Sequence, residues 1–210
     1  MTTSYKNHWN KMYANNLITQ LSWYEEEPYP SIQLIEKCAI KNADLIIDIG
    51  SGTSTLIPTL LELGYKNICA VDISDVALEK ARKLLGERNS EIRWIVDDIT
   101  NPAAILDLQD VGVWHDRAVF HFLTAEDQRQ AYLSTLRKLI KPGGYAIIAT
   151  FSVDAPDMCS GLPVQRYTAQ SLQDILGDGF QLVESLNYTY TQPSGDIRPY
   201  IYTRFKKMDN

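Results

Sequence analysis

The run Leu45-Ile46-Ile47-Asp48-Ile49-Gly50-Ser51-Gly52-Thr53-Ser54 decides the fold. An unbroken apolar stretch closes on an acid and then breaks at two glycines. Parallel strands are covered on both faces, so they read as continuous Leu, Ile and Val rather than as alternating sequence. Gly50 and Gly52 allow a sharp turn and let bare main chain lie against a ligand. About twenty residues on, a second apolar run, Ile68–Val71, ends at Asp72. An acid at the tip of the next strand can accept both hydroxyls of a ribose. The stretch predicts a strand, a turn and a helix built around a nucleoside-containing ligand.

Outward from this run the chain alternates. Leu45–Ile49 reads as the first strand, with a helix over Ser54–Leu63 ended by Gly64. Strands follow at Ile68–Val71, Ile92–Val96, Val111–Trp114 and Tyr145–Phe151. Between them lie a helix over Asp75–Leu85 capped by Ser74, a short helical turn over Asn101–Leu106, and a long helix over Ala125–Ile140. That last helix stops at Lys141-Pro142-Gly143-Gly144, read as a terminator and turn. Ser152–Arg166 reads as a loop, and Thr168 caps a helix through Leu176. Phe180–Tyr190 and Tyr200–Lys206 alternate about the turn Gln192-Pro193-Ser194-Gly195, which predicts an antiparallel hairpin. Upstream, Ser31 is placed to cap a helix through Leu34, Ile35 and Cys38, and Pro28 and Pro30 forbid regular structure just before it. Residues 1–30 are read as an arm or lid over the active site, and 31–210 as the main domain.

Composition narrows the function. A chain of 210 residues, 45% hydrophobic and 22% charged, suits one globular unit. No apolar run approaches the ~20 residues of a membrane span, and Met1-Thr2-Thr3-Ser4-Tyr5-Lys6 lacks the layout of a signal peptide. A cytoplasmic protein is expected, with no membrane association, as monomer or homodimer. Cys38, Cys69 and Cys159 are spaced for neither a disulfide framework nor a metal site. A net charge of −6 disfavours nucleic acid, whose affinity comes from counterion release to basic residues.

Four features together resemble the class I S-adenosylmethionine-dependent methyltransferases, over residues 43–206. They are Asp48-x-Gly50-x-Gly52, Asp72, Asp97-Asp98-Ile99 after the third strand, and Leu139-Ile140-Lys141-Pro142-Gly143-Gly144 before the fifth. Ser54 stands where many members have a third glycine. A dinucleotide-binding fingerprint would want a small third residue near Thr55 and Leu56, which counts against NAD. The resemblance implies an α/β, Rossmann-like, seven-stranded and mostly parallel sheet, with helices on both faces and a C-terminal antiparallel hairpin. It implies S-adenosyl-L-methionine as cofactor and no metal. By the same resemblance the Gly50–Gly52 main chain would pass under the methionine, and Asp48 would organise that loop and reach the amino group through water. Asp72, followed by Ile73, would take the ribose. Asp98 would face the adenine amino group, with Ile99 against the ring; Asp97 is the alternative to Asp98.

The acceptor is harder to read. Chemistry in open α/β sheets sits beyond the carboxyl ends of the strands. Val113-Trp114-His115-Asp116-Arg117 therefore offers His115 and Asp116 as catalytic candidates, with His121 behind them. Trp23, Tyr24, Arg117 and Arg166 are candidates for the acceptor pocket, Arg166 as a two-pronged partner for an anion. Asp116-Arg117, Asp127–Tyr132, Ser152-x-Asp154 and Gly161-x-Pro163 resemble thiopurine S-methyltransferase-like enzymes. Trp9–Tyr13 with Trp23-Tyr24 is similar to methyltransferase-like enzymes that modify protein lysine. Because the chain is compact and acidic, a heteroatom of a small molecule is the expected acceptor. A lysine on a partner protein is the alternative, with Glu25–Glu27 attracting its ammonium group. A cofactor-binding module without catalysis, or a nucleotide-linked oxidoreductase, are weaker alternatives.

Overall fold

A computed structural model describes residues 2–209, with side chains from residue 4 onward. In chain order the elements are α1 (Thr2–Asn15), α2 (Ser31–Glu36), β1 (Leu45–Ile49), α3 (Leu56–Glu62), β2 (Ile68–Asp72), α4 (Asp75–Leu85), β3 (Ile92–Val96) and β4 (Val111–Arg117). They continue as α5 (Glu126–Leu139), β5 (Ile140–Phe151), β6 (Met158–Cys159), β7 (Leu162–Pro163), α6 (Ala169–Leu176), β8 (Phe180–Thr191) and β9 (Ile197–Lys207). Seven strands form one sheet in the order β3-β2-β1-β4-β5-β9-β8, while β6 and β7 make a separate two-stranded pair. The first five strands of the sheet run parallel, and β9 runs antiparallel to both β5 and β8. The chain steps outward through β2 and β3 and then returns to the other side of β1. The crevice between the tips of β1 and β4 is thus the topological switch point where ligands bind in such sheets.

Period-2 alternation divides the core between the two faces of the sheet. Ile47, Trp114 and Ile148 pack with Tyr132 and Leu136 of α5 and Leu172 and Leu176 of α6. Ile46, Val113 and Ile147 pack on the other face with Leu34 and Ile35 of α2, Leu60 of α3 and Leu78 of α4. Each such buried aliphatic side chain contributes roughly 1.5–3 kcal/mol. Two predicted caps are present: Ser74 Oγ accepts from Ala77 N at 3.1 Å, and Thr168 Oγ1 accepts from Ser171 N at 3.1 Å.

Several boundaries differ from the sequence reading. The arm contains a 14-residue helix, α1, that was not expected. Its cavity-facing residues Tyr5, Trp9 and Tyr13 recur every four positions, a helical period written in aromatic rather than aliphatic side chains. Ser31 is the first residue of α2, Pro30 holds the cap position, and the helix ends at Glu36 before Cys38. The Lys141–Gly144 stretch belongs to β5, where Ile140 pairs with Val111 and the register then shifts before Val113. β4 extends three residues past Trp114, to Arg117. The loop after β5 folds back on itself as the β6/β7 pair.

Candidate active site

The turn after β1 needs its glycines for two reasons. Gly50 and Gly52 have φ of +64° and +51°, the left-handed region that costs other residues about 1 kcal/mol or more. Both are also crowded: a Cβ on Gly50 would fall 2.1 Å from Val119 Cγ2, and one on Gly52 would fall 2.1 Å from the Tyr13 hydroxyl oxygen. Asp72, at the tip of β2, secures the turn by accepting from Gly52 N at 2.8 Å and Ser74 N at 2.7 Å. Burial pushes its carboxyl up to about 6. Asp97 likewise serves the backbone, accepting from the amides of Asp98, Ala103 and Ile105. Asp98 accepts from Thr100 N and Thr100 Oγ1 through one oxygen only, at 2.8 and 2.7 Å.

These groups face one cavity at the switch point. Its walls include Asp48, Gly50, Asp72, Ile73, Asp98 and Ile99 on one side. His115, Arg117, Cys159 and Tyr200 lie on the strand-4 and hairpin side, and Trp9, Trp23, Tyr24 and Glu25 come from the arm. The arm residues are held by aromatic edge-to-face contacts: Trp9 lies 5.5 Å from Trp23 and 5.1 Å from Phe122 between ring centroids.

A methyltransferase-domain family model matches residues 46–144, which spans β1 through the Lys141–Gly144 stretch. The chain is 29% identical over 195 residues to EEF1A lysine methyltransferase 2 of Danio rerio, covering 86% of this chain and 77% of the relative. The Mus musculus protein of the same name is 25% identical over 195 residues, covering 86% and 73%. Among solved structures, a SAM-dependent methyltransferase from Anabaena variabilis superposes with a TM-score of 0.80 at 18% identity, covering 98% of this chain and 94% of that one. The chain is an S-adenosylmethionine-dependent methyltransferase with the class I fold. S-adenosylmethionine is its cofactor, and the cavity suits it. Asp48 Oδ2 is buried with no hydrogen-bond partner among the described residues. An orphaned carboxylate oxygen on a cavity wall is a receptor for a cation. Each oxygen of Asp72 retains a second lone pair for a hydroxyl.

In this methyltransferase strand alternation separates the acceptor-side candidates. His115 and Arg117 project into the cavity, whereas Asp116 projects to the opposite face and is fully buried. The Asp116 carboxylate accepts from Val119 N at 2.9 Å, Phe120 N at 3.1 Å and Tyr132 Oη at 2.7 Å. It organises the β4–α5 connection and does not reach the cavity, contrary to the sequence expectation of a catalytic role. His115 is present but committed: Nδ1 lies 2.7 Å from Asp48 Oδ1 and Nε2 lies 2.8 Å from Ser31 Oγ. Its ring orients Asp48, leaving neither nitrogen free as a base. Arg166 is also displaced from its expected role, because Nη1 donates to the carbonyls of Val153 at 3.1 Å and Ala155 at 3.0 Å outside the cavity. His121 is buried against Phe151, accepts its amide at 3.2 Å, and is pushed down to about 3 by burial and by Arg117.

Arg117 is instead the hub that joins the arm, β4 and the hairpin at the cavity wall. Nη1 donates to Trp23 O at 3.0 Å, Nε donates to Tyr202 Oη at 3.1 Å, and Nη2 forms an ion pair with Glu25 Oε1 at 2.9 Å. Its guanidinium lies 5.0 Å from the Tyr190 ring centroid and 5.3 Å from that of Tyr200. Glu25 and the hairpin tyrosines were not singled out as its partners from sequence. The available signal was the alternating Tyr188, Tyr190, Tyr200 and Tyr202 on two adjacent strands.

Proposed function

We propose that this methyltransferase transfers its methyl group to a lysine side chain of a partner protein. The observation that carries the reading is the charge of the cavity. Its lining includes five carboxylates, Glu25, Asp48, Asp72, Asp97 and Asp98, and one guanidinium, Arg117, which is itself paired with Glu25. Such a field favours cationic ligands and opposes anionic acceptors. The names of the relatives from zebrafish and mouse point the same way.

On this reading Asp48, Gly50, Asp72, Ile73, Asp98 and Ile99 hold the cofactor. Bound there, it would supply an electrophilic methyl carbon on a sulfonium, open to in-line displacement by an amine with the sulfur leaving as a neutral thioether. Trp23, Tyr24 and Tyr200 exclude water and give the lysine methylenes an apolar wall. A lysine amine titrates near 10.4 in water and must lose a proton before it can attack. Glu25 is the carboxylate of the acceptor side, half-buried at the cavity wall, and burial raises its carboxyl above the ordinary range while Arg117 opposes that rise. It receives the ammonium and orients it, and the apolar surroundings favour the neutral amine. Exposed Glu26 and Glu27 continue the acidic surface toward solvent and attract a basic segment of the partner.

The test is a transfer assay with tritiated cofactor, offering purified eEF1A, a fractionated lysate and a panel of small thiols and amines. Label on lysine in a protein fraction, located by mass spectrometry, supports the reading. Label confined to small molecules would overturn it.

A further inference from the structure

Gly52 belongs to the cofactor turn, yet the surface that the cavity presents over it is the Tyr13 ring. Tyr13 is 5% exposed. Its oxygen accepts from Trp23 Nε1 at 3.2 Å, and its own proton has no acceptor among the described residues. A buried hydroxyl with an uncommitted proton at a cavity wall is a donor waiting for an oxygen. Burial, with the charges of Asp72 and Asp48, raises this phenol well above its ordinary range, so it remains protonated.

The helix that carries Tyr13 is wired to the same turn. Gly52 N donates to one oxygen of Asp72 and Ser74 N to the other. Ser74 Oγ in turn donates to Asn10 Oδ1 at 2.6 Å, and Asn10 Nδ2 donates to Asp75 at 2.8 Å. Asn10 stands one helical turn before Tyr13. The loop of contacts therefore closes: turn, acid, helix start, Asn10, Tyr13 and the turn again.

We propose that Tyr13 donates its O–H to an oxygen of the bound cofactor, which makes α1 part of the cofactor site. The accepting oxygen belongs either to the ribose or to the amino-acid carboxylate. This inference stands apart from the identity of the methyl acceptor.

Calorimetric titration of the full chain with S-adenosylhomocysteine and with 5′-methylthioadenosine tests it, since the second ligand keeps the sugar and lacks the carboxylate. Tyr13→Phe is expected to weaken S-adenosylhomocysteine about tenfold, the scale of one lost hydrogen bond. An equal loss for 5′-methylthioadenosine assigns the ribose, and an unchanged affinity for it assigns the carboxylate. Wild-type affinity of the variant for S-adenosylhomocysteine overturns the proposal. A packing role would lower the thermal midpoint without ligand, so the unliganded variant is melted alongside. If it is unstable, amide exchange on the unaltered chain decides: α1 amides gain protection when S-adenosylhomocysteine is added, and no gain in α1 refutes its place in the site.

Discussion

Asp116 illustrates how a single side chain can look catalytic and be architectural. Four groups in sequence, His115, Asp116, Arg117 and the nearby His121, are polar at the end of a strand, but a strand sends neighbours to opposite faces. Asp116 goes into the α5 side and meets Tyr132. Its burial has a pH signature. Desolvation raises its carboxyl from 3.8 to about 6, despite hydrogen bonds from Tyr132 and the Val119 and Phe120 amides that pull it down. The folded state then binds the proton more tightly than the unfolded chain. Between about pH 4 and pH 6 the folded form carries more protons, so this group's contribution to stability falls as pH rises through that window. The difference corresponds to about 3 kcal/mol when the shift is converted to free energy. Asp116→Asn keeps the acceptor for the two amides and removes the titration. Thermal unfolding at pH 5 and pH 7 should show a smaller loss of stability with rising pH in the variant than in the unaltered protein. Equal pH dependence would remove Asp116 as the source.

At the scale of elements, the arm between α1 and α2 is fastened to the sheet by a few polar contacts. Arg117 holds the Trp23 carbonyl, the Tyr190 hydroxyl donates to the Tyr24 carbonyl, and Thr55 Oγ1 donates to the Glu25 carbonyl at 3.2 Å. Arg117 makes three of its contacts through a planar fork that lysine cannot reproduce. Arg117→Lys should therefore accelerate amide exchange in residues 22–28 about tenfold or more, the scale of a lost charged hydrogen bond, and leave β1–β3 unchanged. Uniform exchange across the chain would show that Arg117 does not secure the arm. The elements differ in how plainly the sequence encodes them. The parallel strands were legible because burial on both faces leaves a continuous apolar run, as in Leu45–Ile49. The turn was legible because Gly50 and Gly52 have no substitute there. The faces of β4 were not, because polar residues at 115–117 concealed three further strand positions. The helix α1 was hidden for a related reason: Tyr5, Trp9 and Tyr13 bear its apolar period, while all the residues between them except Met12 are polar or charged. Pairings such as Glu25 with Arg117 join positions far apart in sequence and leave no local trace.

For the molecule as a whole, cofactor and fold are linked by mass action. S-adenosylhomocysteine at a hundred times its dissociation constant should stabilise the native state by about 2.7 kcal/mol. For a chain of this size that raises the melting midpoint by roughly 5–10 °C. NAD(H) at the same excess should leave the midpoint unchanged, and a reversal of that order would contradict the cofactor assignment. The position of β9 has a different kind of consequence. It lies inside the sheet, hydrogen-bonded to β5 on one side and β8 on the other, although it is the final strand of the described chain. It brings Tyr200 and Tyr202 to Arg117 and buries Thr203 and Phe205. During synthesis, β5 therefore waits with an unpaired edge until residues 197–207 leave the ribosome. That late pairing is also the one that brings the hairpin tyrosines against Arg117. A nascent or truncated chain that stops before Ile197 would carry the whole Gly50–Gly52 turn yet lack the Tyr200 and Tyr202 contacts that position Arg117.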